Sequence, residues 1–155
     1  IEPGASMVGF EPEFVLSGGA GLGGQVRFTR GLTDLNNASV ILGTGGGPRQ
    51  FRIGGNVTID VFPDVDGQPG IGLGTQLMYY RVPSTAAGAA ATDTEGLIEA
   101  TAIPYIHENF TNSGGDIEPY FAFPFGASFR GGEYQSVSTV AVGTFFKQTI
   151  KYATP

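Results

Sequence analysis

The run Ile117-Glu118-Pro119-Tyr120-Phe121-Ala122-Phe123-Pro124-Phe125-Gly126-Ala127-Ser128-Phe129 alternates in chemical character almost to its end. Ile117, Pro119, Phe121, Phe123, Phe125 and Phe129 share one parity. Glu118, Tyr120, Ala122, Pro124, Gly126 and Ser128 share the other, with Arg130 next in phase. Successive side chains of a β-strand point to opposite faces. Folded as a strand, this stretch carries an aromatic band on one face and small or polar groups on the other. A strand that crosses a bilayer reads this way when the band faces lipid.

Turn signals divide the remainder at near-regular intervals. The pattern predicts eight strands, near 6–16, 22–31, 37–45, 50–62, 70–82, 96–109, 116–130 and 133–148. Each spans about 9–16 residues, whereas a tilted strand needs roughly 9–11 to cross the hydrocarbon layer and soluble strands run to about 5–6. The fourth alternates most regularly. The sixth is weaker, the third is short and ambiguous, and the eighth is apolar on both faces around Val140–Phe146.

Sorting the strands by parity gives two sets. The expected lipid-facing band is Phe10, Phe14, Phe28, Phe51, Ile53, Val57, Ile59, Leu73, Leu77, Phe121, Phe123, Phe125 and Phe129. The expected interior network is Glu11, Glu13, Arg27, Arg52, Asp60, Gln76, Glu99, Glu118 and Arg130, with Gln25 in the same phase. An eight-stranded barrel is just wide enough for side chains to fill. The expectation is therefore an interior blocked by salt bridges rather than a water channel. Pro104 and Pro124 fall mid-strand, where each removes a ladder donor, and bulges are expected near both.

The bulk properties bound the function. At 155 residues the chain reads as one domain, 1–155. Charged residues are 14%, against roughly 25% in soluble domains. The 26 glycines and 10 prolines disfavour long helices. Cysteine is absent, which excludes disulfides, thiolate metal sites and a Cys nucleophile. The net charge of −6 lacks the basic face of a nucleic-acid binder. No apolar run reaches the length of a membrane helix, and no leader pattern opens the sequence.

The segment Arg27-Phe28-Thr29-Arg30-Gly31-Leu32-Thr33-Asp34 resembles the strand-into-turn segment of small outer-membrane β-barrel proteins of Gram-negative bacteria. Phe51-Arg52-Ile53-Gly54-Gly55-Asn56-Val57 and Gly70-Ile71-Gly72-Leu73-Gly74 look like the Gly-rich strands of that family. The resemblance implies an up-and-down barrel in the outer membrane, with Gly31-Leu32-Thr33-Asp34 as a periplasmic turn. The long connection Pro83–Glu95 is then extracellular, as long loops are in such barrels. One departure concerns the last strand, which in the family ends in an aromatic. Gly143-Thr144-Phe145-Phe146 matches partly, but the chain continues to Pro155.

No motif implies catalysis, a metal or a cofactor. Asp64-Val65-Asp66-Gly67 fails as a calcium loop, because the sixth and twelfth positions from Asp64 are Pro69 and Thr75 where Gly and Glu are needed; it reads as a hairpin turn. His107 is the only histidine and lacks a nucleophile at matching spacing, including the His-x-Ser signature of lipid A-modifying barrels. Glu11 and Glu13 read as partners of Arg27. The glycines of 18–23 read as a hairpin loop, since no helix follows to bind phosphate. Asn37, Asn56 and Asn109 begin sequons that read as chance matches.

The sequence reading is thus all-β: an eight-stranded antiparallel up-and-down transmembrane barrel. It would be non-enzymatic and located in a bacterial outer membrane. Its partner would be lipid or detergent rather than nucleic acid, with a monomer favoured and a role in envelope structure or surface contact. A soluble lipocalin-like barrel with the Phe band turned inward around an apolar ligand is the alternative. A narrow pore for ions or small solutes is a second one.

Overall fold

The computed structural model describes residues 1–15, 21–45, 50–65, 68–84, 93–112, 115–138 and 140–147. These form strands joined by turns: β1 Ser6–Val15, β2 Gly21–Gly31, β3 Asn36–Gly45, β4 Phe51–Phe62, β5 Gly70–Pro83, β6 Thr94–His107, β7 Phe110–Asn112, β8 Gly115–Ala122, β9 Phe125–Arg130, β10 Glu133–Ser138 and β11 Ala141–Lys147. All pair antiparallel in one sheet, in up-and-down order from β1 to β6.

Beyond β6 the expected seventh and eighth strands are each divided, yet the register runs through both breaks. Tyr105 faces Ala122 and Ala102 faces Phe125, three steps apart on either strand. Ser138 faces Phe125 and Ala141 faces Ala122, again three steps on each side. β8 and β9 are therefore one line of chain interrupted at Phe123–Pro124, and β10 and β11 are a second. The short β7 pairs with β8 as a small hairpin.

The bulges expected at the two prolines are not found. Pro104 pairs opposite Leu73 without any register shift, and its carbonyl accepts from Phe123 N at 3.0 Å. The ladder there loses the one bond that Pro104 cannot donate and keeps its reciprocal. Ladder bonds alternate in direction along a strand, so the N of Pro124 faces away from β6, toward the side where β10 and β11 meet. A donor is missing where that ladder breaks. The register shift lies instead in β4, between Asp60 and Phe62 opposite β5.

The expected closure of an eight-stranded barrel is not found either. No ladder joins β1 to β10 or β11 among the described residues; β10 pairs with β9, and β11 with β8. The sheet nevertheless curls. Met7 of β1, Glu118 and Tyr120 of β8 and Val137 of β10 line the same central cavity as the strands between them.

Register also explains the glycines of the concave face. Gly43 pairs with Arg52, Gly54 with Met78, Gly72 with Tyr105 and Gly70 with His107. At each, a Cβ would collide with the partner's side chain. A large inward side chain lies across the glycine opposite it, so small and large residues alternate around the interior.

Candidate functional site

Burial in this sheet is inverted. Thirty large hydrophobic residues are exposed, among them Phe10 at 71%, Leu77 at 60% and Phe129 at 54%. Among the described residues the buried hydrophobic ones are five: Ile41, Met78, Tyr80, Val82 and Ala122. Ile41, Met78 and Val82 are each worth about 1.5–3 kcal/mol when removed from water, and far more apolar surface stays on the convex face. Arg52 is 2% exposed, and Thr29, Thr101, His107 and Ser128 are buried with it.

The predicted residues fall as follows. Phe10, Phe28, Phe51, Ile53, Val57, Ile59, Leu73, Leu77, Phe121, Phe123, Phe125 and Phe129 are all exposed. Phe121 and Phe123 meet edge to face, with ring centroids 4.6 Å apart. Arg52 is buried, and Glu11, Arg27, Asp60, Gln76, Glu99, Glu118 and Arg130 are partly buried. The side chains of Glu13 and Phe14 lie outside the described residues, as do most of the 83–95 connection and the tail beyond Lys147.

The inward residues form rows across the sheet, read from strand pairing. One row is Gln25, Gly43, Arg52, Tyr80, Leu97 and Arg130; the next is Arg27, Ile41, Gly54, Met78, Glu99 and Ser128; the third is Thr29, Ser39, Asn56, Gln76, Thr101 and Gly126. Charges and apolar groups occupy the first two rows. The third is a belt of hydroxyls and amides, with Thr29 Oγ1 and Ser39 Oγ 2.9 Å apart.

The end near Pro83 is filled. Arg27 Nε donates to Glu11 Oε1 at 2.5 Å, and Gln25 donates to the other carboxylate oxygen. Arg130 Nε donates to Glu95 Oε1 at 2.6 Å and its Nη2 to Pro83 O at 2.5 Å. Ile41, Met78, Tyr80 and Val82 pack together there, with Leu97 against them. The blockage is thus partly apolar, which departs from the salt-bridged filling the sequence suggested. By parity Met78 and Tyr80 fall on the face opposite Leu77 and Tyr79. Leu97 shares the parity of Glu99, and that phase was the available signal.

The opposite end is hollow. A cavity of about 630 Å³ reaches from Tyr80, Arg27 and Glu99 down to Asp34, Leu35, Pro63, Asp64 and Asn109 in the turns. Near its mouth, Tyr105 Oη donates to Asp60 Oδ1 at 2.7 Å. His107 Nδ1 lies 2.8 Å from Glu118 Oε1, and Nε2 lies 3.6 Å from Asp60 Oδ1. Asn109 N donates to Asp64 Oδ2 at 2.6 Å, which ties two turns together. Val65 and Gln68 exchange backbone hydrogen bonds, and Asp66 and Gly67 of the expected turn lie outside the described residues. Asn37 and Asn56, read as chance sequons, line the cavity wall.

Among the described residues no group of three or more His, Cys, Asp or Glu side chains could hold a metal ion. Tyr105, His107 and the two carboxylates form a hydrogen-bonding and ionic cluster without a hydroxyl or thiol nucleophile beside a base. No family model matches the chain, and neither a curated protein nor a solved structure matches it.

Proposed function

We propose that this chain is a non-enzymatic integral β-barrel protein of a bacterial outer membrane, with a blocked interior and a role in envelope structure or surface contact. The observation that carries this reading is the inverted burial: an apolar convex face around a concave face of charges, amides and hydroxyls. Water solvates such a molecule poorly on its larger face, whereas acyl chains solvate it well. The strands β1 to β6 have 10–14 residues, long enough to cross the hydrocarbon layer when tilted. Lipid cannot satisfy a free strand edge, so this reading requires the seam between β1 and β11 to close in the bilayer.

Two measurements test it. Partition between buffer and detergent, read with heat-modifiable gel mobility, should place the protein in the detergent fraction as a compact species. A monodisperse protein in buffer alone overturns the membrane reading. Closure is tested by a cysteine at Phe10 paired in turn with cysteines at Val142, Thr144 and Phe146, in a chain that has no cysteine of its own. A disulfide requires Cα atoms about 4.4–6.8 Å apart, so one pair should cross-link in vesicles if the seam closes.

The apolar-ligand barrel needs the Phe band inside, and the exposure of Phe121, Phe123 and Phe125 weighs against it. The narrow pore is opposed by the Ile41, Met78, Tyr80 and Val82 cluster. Planar bilayers containing the protein should stay silent, and a conductance altered by Arg52→Ala would favour the pore.

A further inference from the structure

We propose that the hollow end of the interior is a binding site for a small organic cation carrying N–H donors, an alkylammonium or a guanidinium. This inference does not rest on the membrane reading, because the cavity lies on the concave face whatever solvent covers the convex one. Its volume of about 630 Å³ falls in the range of small-molecule sites, roughly 300–1,000 Å³. It is bounded at one end by the apolar cluster and reaches the turns at the other.

The wall chemistry selects the ligand. Asp60 and Glu118 face the cavity beside Asp34, Asp64 and Glu99, and the only Lys or Arg in the described lining is Arg27. Arg27 is already bound by Glu11. An anion would meet an excess of carboxylates, while a cation meets complementary charge in a site of reduced dielectric. The wall is also rich in acceptors. The side-chain oxygens of Asn37 and Asn56 are buried without a hydrogen-bond partner. His107 is 8% exposed, and its Nδ1 already pairs with Glu118 Oε1 at 2.8 Å. Buried polar groups without partners are costly. Ammonium and guanidinium groups are pure donors, with three and five N–H bonds respectively, and match a lining whose charged groups are mostly carboxylates. Tyr80, Tyr105 and Tyr120 also line the cavity, and aromatic rings attract cations. Asp60 is held in place by the Tyr105 hydroxyl, so at least one acceptor is positioned before the ligand arrives.

The test is calorimetric titration of the intact protein, in whichever solvent keeps it folded, with agmatine, which carries both a guanidinium and an ammonium. Glucose serves as the neutral donor control and succinate as the anionic one. The expected result is saturable binding of agmatine, with glucose and succinate at least tenfold weaker. Asp60→Asn and Glu118→Gln should each weaken agmatine on the order of tenfold. Asn56→Ala, which keeps every charge, should weaken it less. Equal binding of glucose or succinate overturns the proposal, and so does an absence of saturable agmatine binding to folded wild-type protein. Unchanged affinity in the Asp60→Asn, Glu118→Gln double variant overturns it as well. The wild-type selectivity decides the matter even if the carboxylate variants fail to fold.

Discussion

The two faces of β5 differ as much as any two regions of the molecule. Ile71, Leu73, Thr75, Leu77, Tyr79 and Arg81 are exposed, while Gly70, Gly72, Gly74, Met78, Tyr80 and Val82 between them are buried. The exposed set is as apolar as the buried one, and half of the buried set is glycine. In a soluble sheet the apolar parity is the hidden one. Here the hidden parity is chosen for size, making room for His107, Tyr105 and Ile103 from the neighbouring strand. A face that packs against protein needs shape, and a face that meets a fluid apolar phase needs only hydrophobicity.

That contrast can be broken first on the outer face. Leu77→Arg places a charge at the middle of β5, and in lipid vesicles it should lower unfolding stability by about 2–4 kcal/mol, measured by urea titration. If the convex face meets water instead, the same change leaves stability untouched and improves solubility.

On the inner face, Gly72→Val should cost about 1–3 kcal/mol by overpacking, because the added side chain takes the place of the Tyr105 ring. Gly9→Ala is the control: its Cβ meets nothing nearer than the Arg27 carbonyl at 4.0 Å, and its unfolding curve should overlay the wild type. Equal losses in the two variants would mean that glycine serves the backbone rather than the neighbouring side chain.

Arg27→Ala leaves the Glu11 carboxylate with Gln25 as its remaining bonded partner and should cost about 1–2 kcal/mol, moderated by the partial exposure of Glu11. Restoring neutrality with Glu11→Gln in the same chain should recover part of that loss in a double-mutant cycle. Additive losses would show that the pair is not coupled. The smallest effect is expected for Tyr105→Phe, which removes one hydrogen bond to Asp60 and should cost about 0.5–1.5 kcal/mol. A stability equal to the wild type would mean that water replaces the hydroxyl.

Much of the sheet was legible in the sequence because parity is a local property. The clean alternation of Phe51–Asp60 marked β4 and assigned both its faces. The turn residues around Gly31–Asp34 and Asp64–Gly67 marked where the chain reverses. The division of the last two strands was not legible, since Pro124 disrupts the ladder through a neighbour that only register brings opposite it. The apolar cluster was missed because Ile41 lies in an ambiguous strand, and Met78 and Leu97 are ordinary core residues that become a plug only when three strands bring them together. His107 and Glu118 are eleven residues apart in sequence on strands whose contact depends on the β7–β8 hairpin.

The amino-acid sequence by itself determined the strands, their two chemically opposed faces and the absence of cysteine chemistry, because each follows from residue type and a two-residue period. Only the tertiary structure decided which face is concave, where the interior is filled and where it is hollow, and that the first and last strands of the described sheet do not pair with each other. Those features depend on register and curvature, which set distant residues side by side and which no local pattern encodes.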